Sequence, residues 1–304
     1  AGRDRSSVCS FVAQGFVGLD WPALARRGNS HWIYRKQETL QEGNLMVSGK
    51  TIIVTGVASG IGAETARQLK AQGAVVIGVD RNEPTVALDA FHQVDLMDEA
   101  AIDALISGLK ALRADGLANI AGVPPTAAPE VVVTVNLVAL KRLTLGLVDS
   151  LADNASIVNL ASLAGIGWES EIKRITAAND LTHAQVADFC VANHITSDDS
   201  YFFTKQALVA WTRENRWRWR ERGIRMNSVS PGPVDTPILA DFLETLGARA
   251  EEDMKIMDRP GTPADVAPVV VFLLSDGSAW LRGVDIATDG GMRAHIDATS
   301  NGLS

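Results

Sequence analysis

The 304-residue chain is poor in cysteine: Cys9 and Cys190 stand far apart in the sequence. Two such residues build no disulfide framework, and they suit a reducing cytoplasm. Positive charge is also in deficit. The formal net charge of −8 argues against a general affinity for nucleic acid or an anionic membrane. No apolar run approaches the ~20 residues of a membrane-spanning helix. There is no HExxH and no paired CxxC, so no metal site is expected. What remains, 46% hydrophobic and 21% charged residues, is ordinary for a soluble globular protein of one large or two small α/β domains.

The stretch that is present and informative is Thr55-Gly56-Val57-Ala58-Ser59-Gly60-Ile61-Gly62. An apolar run, residues 51–54, precedes it and a helical pattern, residues 63–70, follows. Strand, glycine-rich turn and helix in that order form a site for a phosphate group. The backbone can approach a ligand closely, and the helix offers unpaired N–H groups and the positive end of its dipole. The G-x3-G-x-G spacing differs from G-x-G-x-x-G, and a tight turn without a ligand is the lesser alternative for this stretch alone.

Strands and helices then alternate. Residues 74–79 read as a second strand ending in Asp80, an acid placed to bind both hydroxyls of an adenosine ribose. Its charge repels a 2′-phosphate, which favours NAD over NADP, although the adjacent Arg81 is able to contact such a phosphate. Asp80 also suits a helix cap or turn. Residues 91–94 are a weak third strand, residues 98–112 a helix, and residues 116–122 a fourth strand running into a glycine turn. Residues 130–150 look helical and carry Asn136, for which a satisfied buried amide is one reading; residues 156–162 are a fifth strand ending in Ser162. Repeated β-α units with short connections imply a parallel sheet, with ligands beyond the carboxyl ends of its strands. Gly56, Asp80, Asn119 and Ser162 all fall at such ends.

Tyr201-Phe202-Phe203-Thr204-Lys205 places a tyrosine and a lysine one helical turn apart. Taken with Thr55–Gly62, Asn119–Gly122, Ser162 and Pro231-Gly232, in this order, it resembles the short-chain dehydrogenase/reductase family over residues 49–292. The resemblance implies a Rossmann-type α/β fold, a doubly wound parallel sheet in one domain. It implies a catalytic tetrad of Asn136, Ser162, Tyr201 and Lys205. Tyr201 is then general base for alcohol oxidation and acid for carbonyl reduction, its pKa lowered by the lysine charge and the positive nicotinamide ring. Ser162 holds the substrate oxygen, Lys205 also holds the nicotinamide ribose, and Asn136 positions a water in a proton relay. The implied cofactor site has Gly56, Ser59, Gly60, Ile61 and Gly62 along the pyrophosphate and Asp80 on the ribose. Asp95 and Leu96 flank adenine, Asn119, Ala121 and Gly122 the adenosine side, and Pro231, Val234 and Thr236 the nicotinamide carboxamide. NAD is implied, and no metal.

A long connection, residues 163–200, separates Ser162 from Tyr201. It is expected to be a helical insertion, either a lid beside the site or a surface elaboration that alters oligomer packing. The family's usual dimer interface uses the flanking helices, so the insertion bears on the choice between homodimer and homotetramer. Within the family the chain is similar to the branch of bacterial 3α-hydroxysteroid dehydrogenase/carbonyl reductases and coniferyl alcohol dehydrogenases, and most to the latter. Residues 61–67, 76–82, 119–124 and 231–234 carry that likeness. It implies oxidation of an aromatic allylic alcohol, with steroid oxidation as the alternative and a non-catalytic dinucleotide-sensing regulator as a remote third. Val123, Pro124, Ile166, Trp168, Ile238, Leu239 and Phe242 are candidates for a small apolar substrate pocket, although core packing explains each one singly.

The Trp-Arg stretch at 211–220 is read as a continuation of the Tyr201 helix, with tryptophan faces packed and arginine tips in water, rather than a nucleic-acid contact. The folded domain is expected over residues 46–294. Residues 1–45 are read as a leader that is non-native or disordered, and 295–304 as a loose tail.

Overall fold

The computed structural model describes residues 46–239 and 255–303. The leader and Phe242 lie outside the described residues.

Seven parallel strands form one sheet. They are β1 (Thr51–Thr55), β2 (Val75–Asp80), β3 (Ala90–Gln93), β4 (Gly116–Asn119), β5 (Ser156–Leu160), β6 (Arg225–Pro231) and β7 (Asp285–Thr288), in the order β3-β2-β1-β4-β5-β6-β7. β1 pairs with β2 from Thr51↔Val75 to Thr55↔Val79 and with β4 from Ile52↔Gly116 to Val54↔Ala118. The chain reverses its direction of travel across the sheet at β1 and β4, and a crevice opens at such a point beyond the carboxyl ends. This is the doubly wound architecture expected above.

Strand side chains alternate between the two faces. Ile52 and Val54 of β1 join one apolar cluster with Ala66 and Leu69 of α1 (Gly60–Ala71). Ile53 joins the opposite cluster with Leu105 of α2 (Glu99–Leu109), and Leu143 of α3 (Pro129–Ser150) belongs to it too. Burying each such leucine contributes about 1.5–3 kcal/mol. α1 stops where a Gly73 at φ +80° allows a two-bond C-terminal cap: Gly73 N–H to Lys70 O at 3.0 Å and Ala74 N–H to Leu69 O at 3.0 Å. α2 starts where the Asp98 carboxylate accepts from the N–H groups of Ala100 and Ala101.

α3 is long and apolar enough to cross a membrane by length and composition, with mean hydropathy 1.8. That differs from the reading of the sequence alone, but 78% of its apolar window is buried inside the protein, so it is a core helix. It is continuous in direction yet winds as a π-helix over Thr134–Ala139, around Asn136.

The insertion contains α4 (Ile172–Ala177) and α5 (Val186–Ala192) and leads into α6 (Ser200–Glu214). Its apolar side chains Ile175, Val186, Phe189 and Ile195 form a third cluster with Val133 and Leu137 of α3 and Phe203 of α6.

Three readings change. β6 escaped notice because Arg225, Asn227, Ser228 and Ser230 make it polar, yet all seven positions are buried. Its polar groups are paired: Asn227 with Leu281 O and Val284 N–H, both serines with the Asp285 carboxylate on β7. The Tyr201 helix ends at Glu214 rather than running through the tryptophans; Trp211 is buried but Trp217 is exposed, with the Arg216 guanidinium 4.5 Å above its ring. Residues expected as a loose tail from 295 onward belong largely to α8 (Met292–Ser300). Asp289 caps it by accepting from the N–H groups of Gly291 and Arg293, and Arg293 pairs with Asp297 one turn on. Before it, α7 (Pro263–Leu274) packs on α1 beneath β5 and β6, starting at a Thr262–Asp265 capping box.

Candidate active site

A cleft of about 330 Å³ runs across the carboxyl ends of β1, β2, β4 and β5. Gly56, Ser59, Gly60, Ile61, Gly62, Asp80, Asp95, Leu96, Ala121, Gly122, Val123, Pro124, Thr236 and Ile238 all line it. Residues from five separate stretches of sequence are thus brought to one concave surface.

The glycine turn is built by close approach. A Cβ on Gly56 would sit 2.8 Å from the Ala121 backbone, and one on Gly62 only 2.0 Å from Gly56 O. Gly56 also holds φ at +78°. Thr55 Oγ1 locks the turn to the end of β4 by accepting from Ile120 N–H at 2.9 Å and Ala121 N–H at 3.0 Å. Nothing in the strand pattern marked this hydroxyl; only its place before the glycines hints at it.

The start of α1 answers whether the residues fit a dinucleotide. Ser59 makes no side-chain cap, and the first turn carries no acid. The leading N–H groups of this 12-residue helix have no helical acceptor and border the cleft, which suits a pyrophosphate. At the end of β2, Asp80 accepts from Ala58 N–H at 3.0 Å and from Asn82 N–H at 2.9 Å. It is a turn organiser as well as a cleft residue, and each carboxylate oxygen keeps lone pairs for ribose hydroxyls. Asp95 shapes the adjoining loop by accepting from Met97 N–H at 2.9 Å.

Asn119 is placed differently from the expectation of a cofactor contact. Its side chain is buried and donates to Thr144 Oγ1 and Asn159 Oδ1, both at 2.9 Å. Asn159 in turn donates to Thr212 Oγ1 at 3.0 Å, so this polar chain ties β4 and β5 to α3 and α6. Pro231 and Val234 are likewise buried behind the cleft, Val234 bridging to Gly261. Thr236 does face it: a Cβ on Gly60 would lie 3.2 Å from the Thr236 methyl.

Of the expected tetrad, Asn136 lies on α3, Ser162 just after β5, and Tyr201 and Lys205 on α6. The Ser162 hydroxyl lies close enough to the Tyr201 phenol to lower its pKa. Ser162 Oγ also accepts from Ala164 N–H at 3.2 Å. Lys205 Nζ donates to Leu160 O at 2.9 Å and lies 5.4 Å from the centre of the Tyr201 ring. Leu160 lines the cleft, so Lys205 sits directly behind the wall. Asn136 is spent on the β4 loop: its Oδ1 accepts from Val123 N–H at 2.8 Å and its Nδ2 donates to Val123 O at 3.1 Å.

The acid-base balance departs from the expected one. Burial pushes the Tyr201 phenol well above its ordinary value, with the Ser162 hydroxyl pulling back by less. Burial also pulls Lys205 down to about 8. Desolvation dominates for both groups because both are enclosed.

The apolar pocket candidates divide. Val123, Pro124 and Ile238 line the cleft. The Ile166 carbonyl is held by Gln206 Nε2 at 3.0 Å, a contact with no sequence signal. Trp168 packs between core clusters with the Arg213 guanidinium 5.6 Å over its ring, and Leu239 is half-buried outside the cleft lining. No residue of 163–200 is among those lining this cleft.

Comparison with known proteins agrees with this geometry. The family model described as short chain dehydrogenase matches residues 50–172, and that described as enoyl-(acyl carrier protein) reductase matches residues 184–293. A coniferyl-alcohol dehydrogenase from Pseudomonas sp. (strain HR199) is 41% identical over 82% of this chain and 98% of its own. A 3-alpha-hydroxysteroid dehydrogenase/carbonyl reductase from Comamonas testosteroni is 28% identical over 82% and 98%. The crystal structure of a 3-alpha-hydroxysteroid dehydrogenase from Pseudomonas sp. B-0831 complexed with NADH superposes with a TM-score of 0.70 at 30% identity, covering 82% of this chain and 98% of that one. The chain belongs to the short-chain dehydrogenase/reductase family and is a nicotinamide-dinucleotide-dependent oxidoreductase.

Proposed function

We propose that the protein oxidises an aromatic or allylic alcohol, coniferyl alcohol or a near analogue, to its aldehyde with NAD. The observation that carries the reading is Lys205 Nζ, held to Leu160 O, 5.4 Å from the centre of the buried Tyr201 ring, with the Ser162 hydroxyl acting on the phenol. The 41% identity to a coniferyl-alcohol dehydrogenase supports the choice of alcohol.

When bound, the dinucleotide supplies the hydride acceptor. The start of α1 would hold its pyrophosphate, Asp80 its adenosine ribose, and Lys205 its nicotinamide ribose. Ser162 Oγ orients the alcohol oxygen, and Tyr201 as phenolate removes the hydroxyl proton while the carbinol carbon gives up its hydride. Burial opposes that phenolate, so oxidation is expected to speed up toward alkaline pH. Asn136 keeps one N–H and one lone pair beyond its Val123 bonds, enough to hold a water that passes the proton onward. NAD is favoured over NADP by the Asp80 charge. The free, buried Cys190 fits work in the reducing cytoplasm, as a homodimer or homotetramer.

A steroid alcohol is the second reading. The apolar wall of Val123, Pro124 and Ile238 suits a steroid as well as a phenylpropanoid ring. A regulator without catalysis is disfavoured, since Tyr201 and Lys205 are both in place. NADH formation with coniferyl alcohol, androsterone and no alcohol separates the three. Turnover of androsterone alone overturns the first reading, and no turnover of any alcohol or carbonyl restores the third. Faster turnover with NADP than with NAD contradicts the role given to Asp80.

A further inference from the structure

The insertion touches the site at two places, neither of them in the cleft. At the first, Arg174 on α4 donates through Nη2 to Asp199 Oδ2 at 2.5 Å and through Nη1 to Glu171 Oε2 at 3.1 Å. Its guanidinium lies 5.1 Å over the ring of Phe203, which is buried in α6 between Tyr201 and Lys205. Asp199 immediately precedes α6 but does not cap it; its carboxylate is turned to Arg174 and to Thr196 N–H. The residue just before the helix that carries Tyr201 is therefore tied to α4.

At the second place, His183 Nε2 lies 3.3 Å from Leu96 O. A carbonyl only accepts, so this nitrogen carries the hydrogen. Nδ1 is buried with no hydrogen-bond partner among the described residues, so the ring's one polar attachment is to Leu96. Leu96 lines the cleft beside Asp95. Between the two places the insertion is solid. Ile175, Val186, Phe189 and Ile195 pack on α3 and α6, and the buried Lys141 of α3 donates to the carbonyls of Ala178 at 3.1 Å and Asn179 at 2.6 Å.

We infer that the insertion is a brace that positions both ends of the site. Arg174 sets the start of the Tyr201 helix, and His183 holds the Leu96 wall against the adenine end of the dinucleotide. Both are positioning residues: neither lines the cleft. The inference rests on the proposed function in that the cleft takes the dinucleotide and Tyr201 moves the proton.

The test compares the full-length protein with His183→Ala, His183→Gln, Arg174→Ala and Arg174→Lys. NADH affinity is measured by fluorescence titration, with kcat, KM and melting temperature alongside. His183→Ala is expected to weaken NADH binding about fivefold, the worth of one hydrogen bond, with kcat changed less than about twofold. His183→Gln, whose amide N–H has a similar reach, recovers the affinity. Arg174→Ala is expected to lower kcat about tenfold through a displaced Tyr201, with NADH affinity unchanged. Arg174→Lys recovers part of that rate. A merely structural insertion moves both parameters together with melting temperature, or moves neither, and either result overturns the brace. A wild-type protein that binds and uses NAD while the variants behave so sinks the brace alone; a wild-type protein that fails to bind NADH sinks the proposed function and the brace with it.

Discussion

Replacing Thr55 by valine keeps the shape of the side chain and removes its hydroxyl. Thr55 is 3% exposed, and its Oγ1 accepts two backbone N–H groups, from Ile120 and Ala121. Without the acceptor both donors are stranded. Each buried unpaired N–H costs about 1–3 kcal/mol, and the half-buried Ala121 recovers some of this from water. The expected loss is about 3 kcal/mol. Thr55→Ser keeps the acceptor and deletes one methyl, for about 1 kcal/mol. Urea unfolding with equal slopes should therefore rank wild type, then serine, then valine. The same two N–H groups belong to the rim of the cleft, so the valine variant should also bind NADH more weakly than the serine variant. A valine variant as stable as the serine variant refutes the reasoning, because shape rather than the hydroxyl would then be holding the turn.

Gly62→Ala places a Cβ 2.0 Å from Gly56 O, a backbone atom that cannot yield without opening the turn. The expected loss is about 3 kcal/mol or more together with NADH binding; a melting temperature unchanged within a few degrees contradicts it. Lys205 is drawn from 10.5 to about 8 by burial, so its folded pKa lies below its unfolded one. Its contribution to stability is fully present above the unfolded value and is lost as pH falls through the folded one. Wild type is therefore expected to gain stability relative to Lys205→Met as pH rises from about 8 toward 10, and a constant difference across that window counts against the buried ammonium.

Much of this architecture was legible in residue order. β1, β2, β4 and β5 are short apolar runs, and the glycines, Asp80, Ser162 and Tyr201 fall at places where chemistry accumulates in such a sheet. β6 was not legible, because its polar side chains are satisfied by partners as remote as Leu281 and Asp285, which no local pattern reveals. The same physics misdirected the reading of Asn119. Its position at a strand end suggested a ligand, but its amide closes a buried network with Thr144, Asn159 and Thr212. Trp168 looked like a pocket wall from its apolar character alone, and Arg213 and the core clusters claim it instead. The direction of the Tyr201 shift was beyond sequence because it depends on burial, a property of the whole fold.

The most direct test is the Tyr201→Phe variant, which removes one hydroxyl from a buried side chain and leaves the ring packing in place. NADH binding and alcohol oxidation are measured on the same preparation. The account predicts wild-type NADH affinity with oxidation of coniferyl alcohol slowed by at least ~100-fold, the scale of a lost acid-base group. Near-normal turnover in that variant contradicts the assignment of Tyr201 as the base.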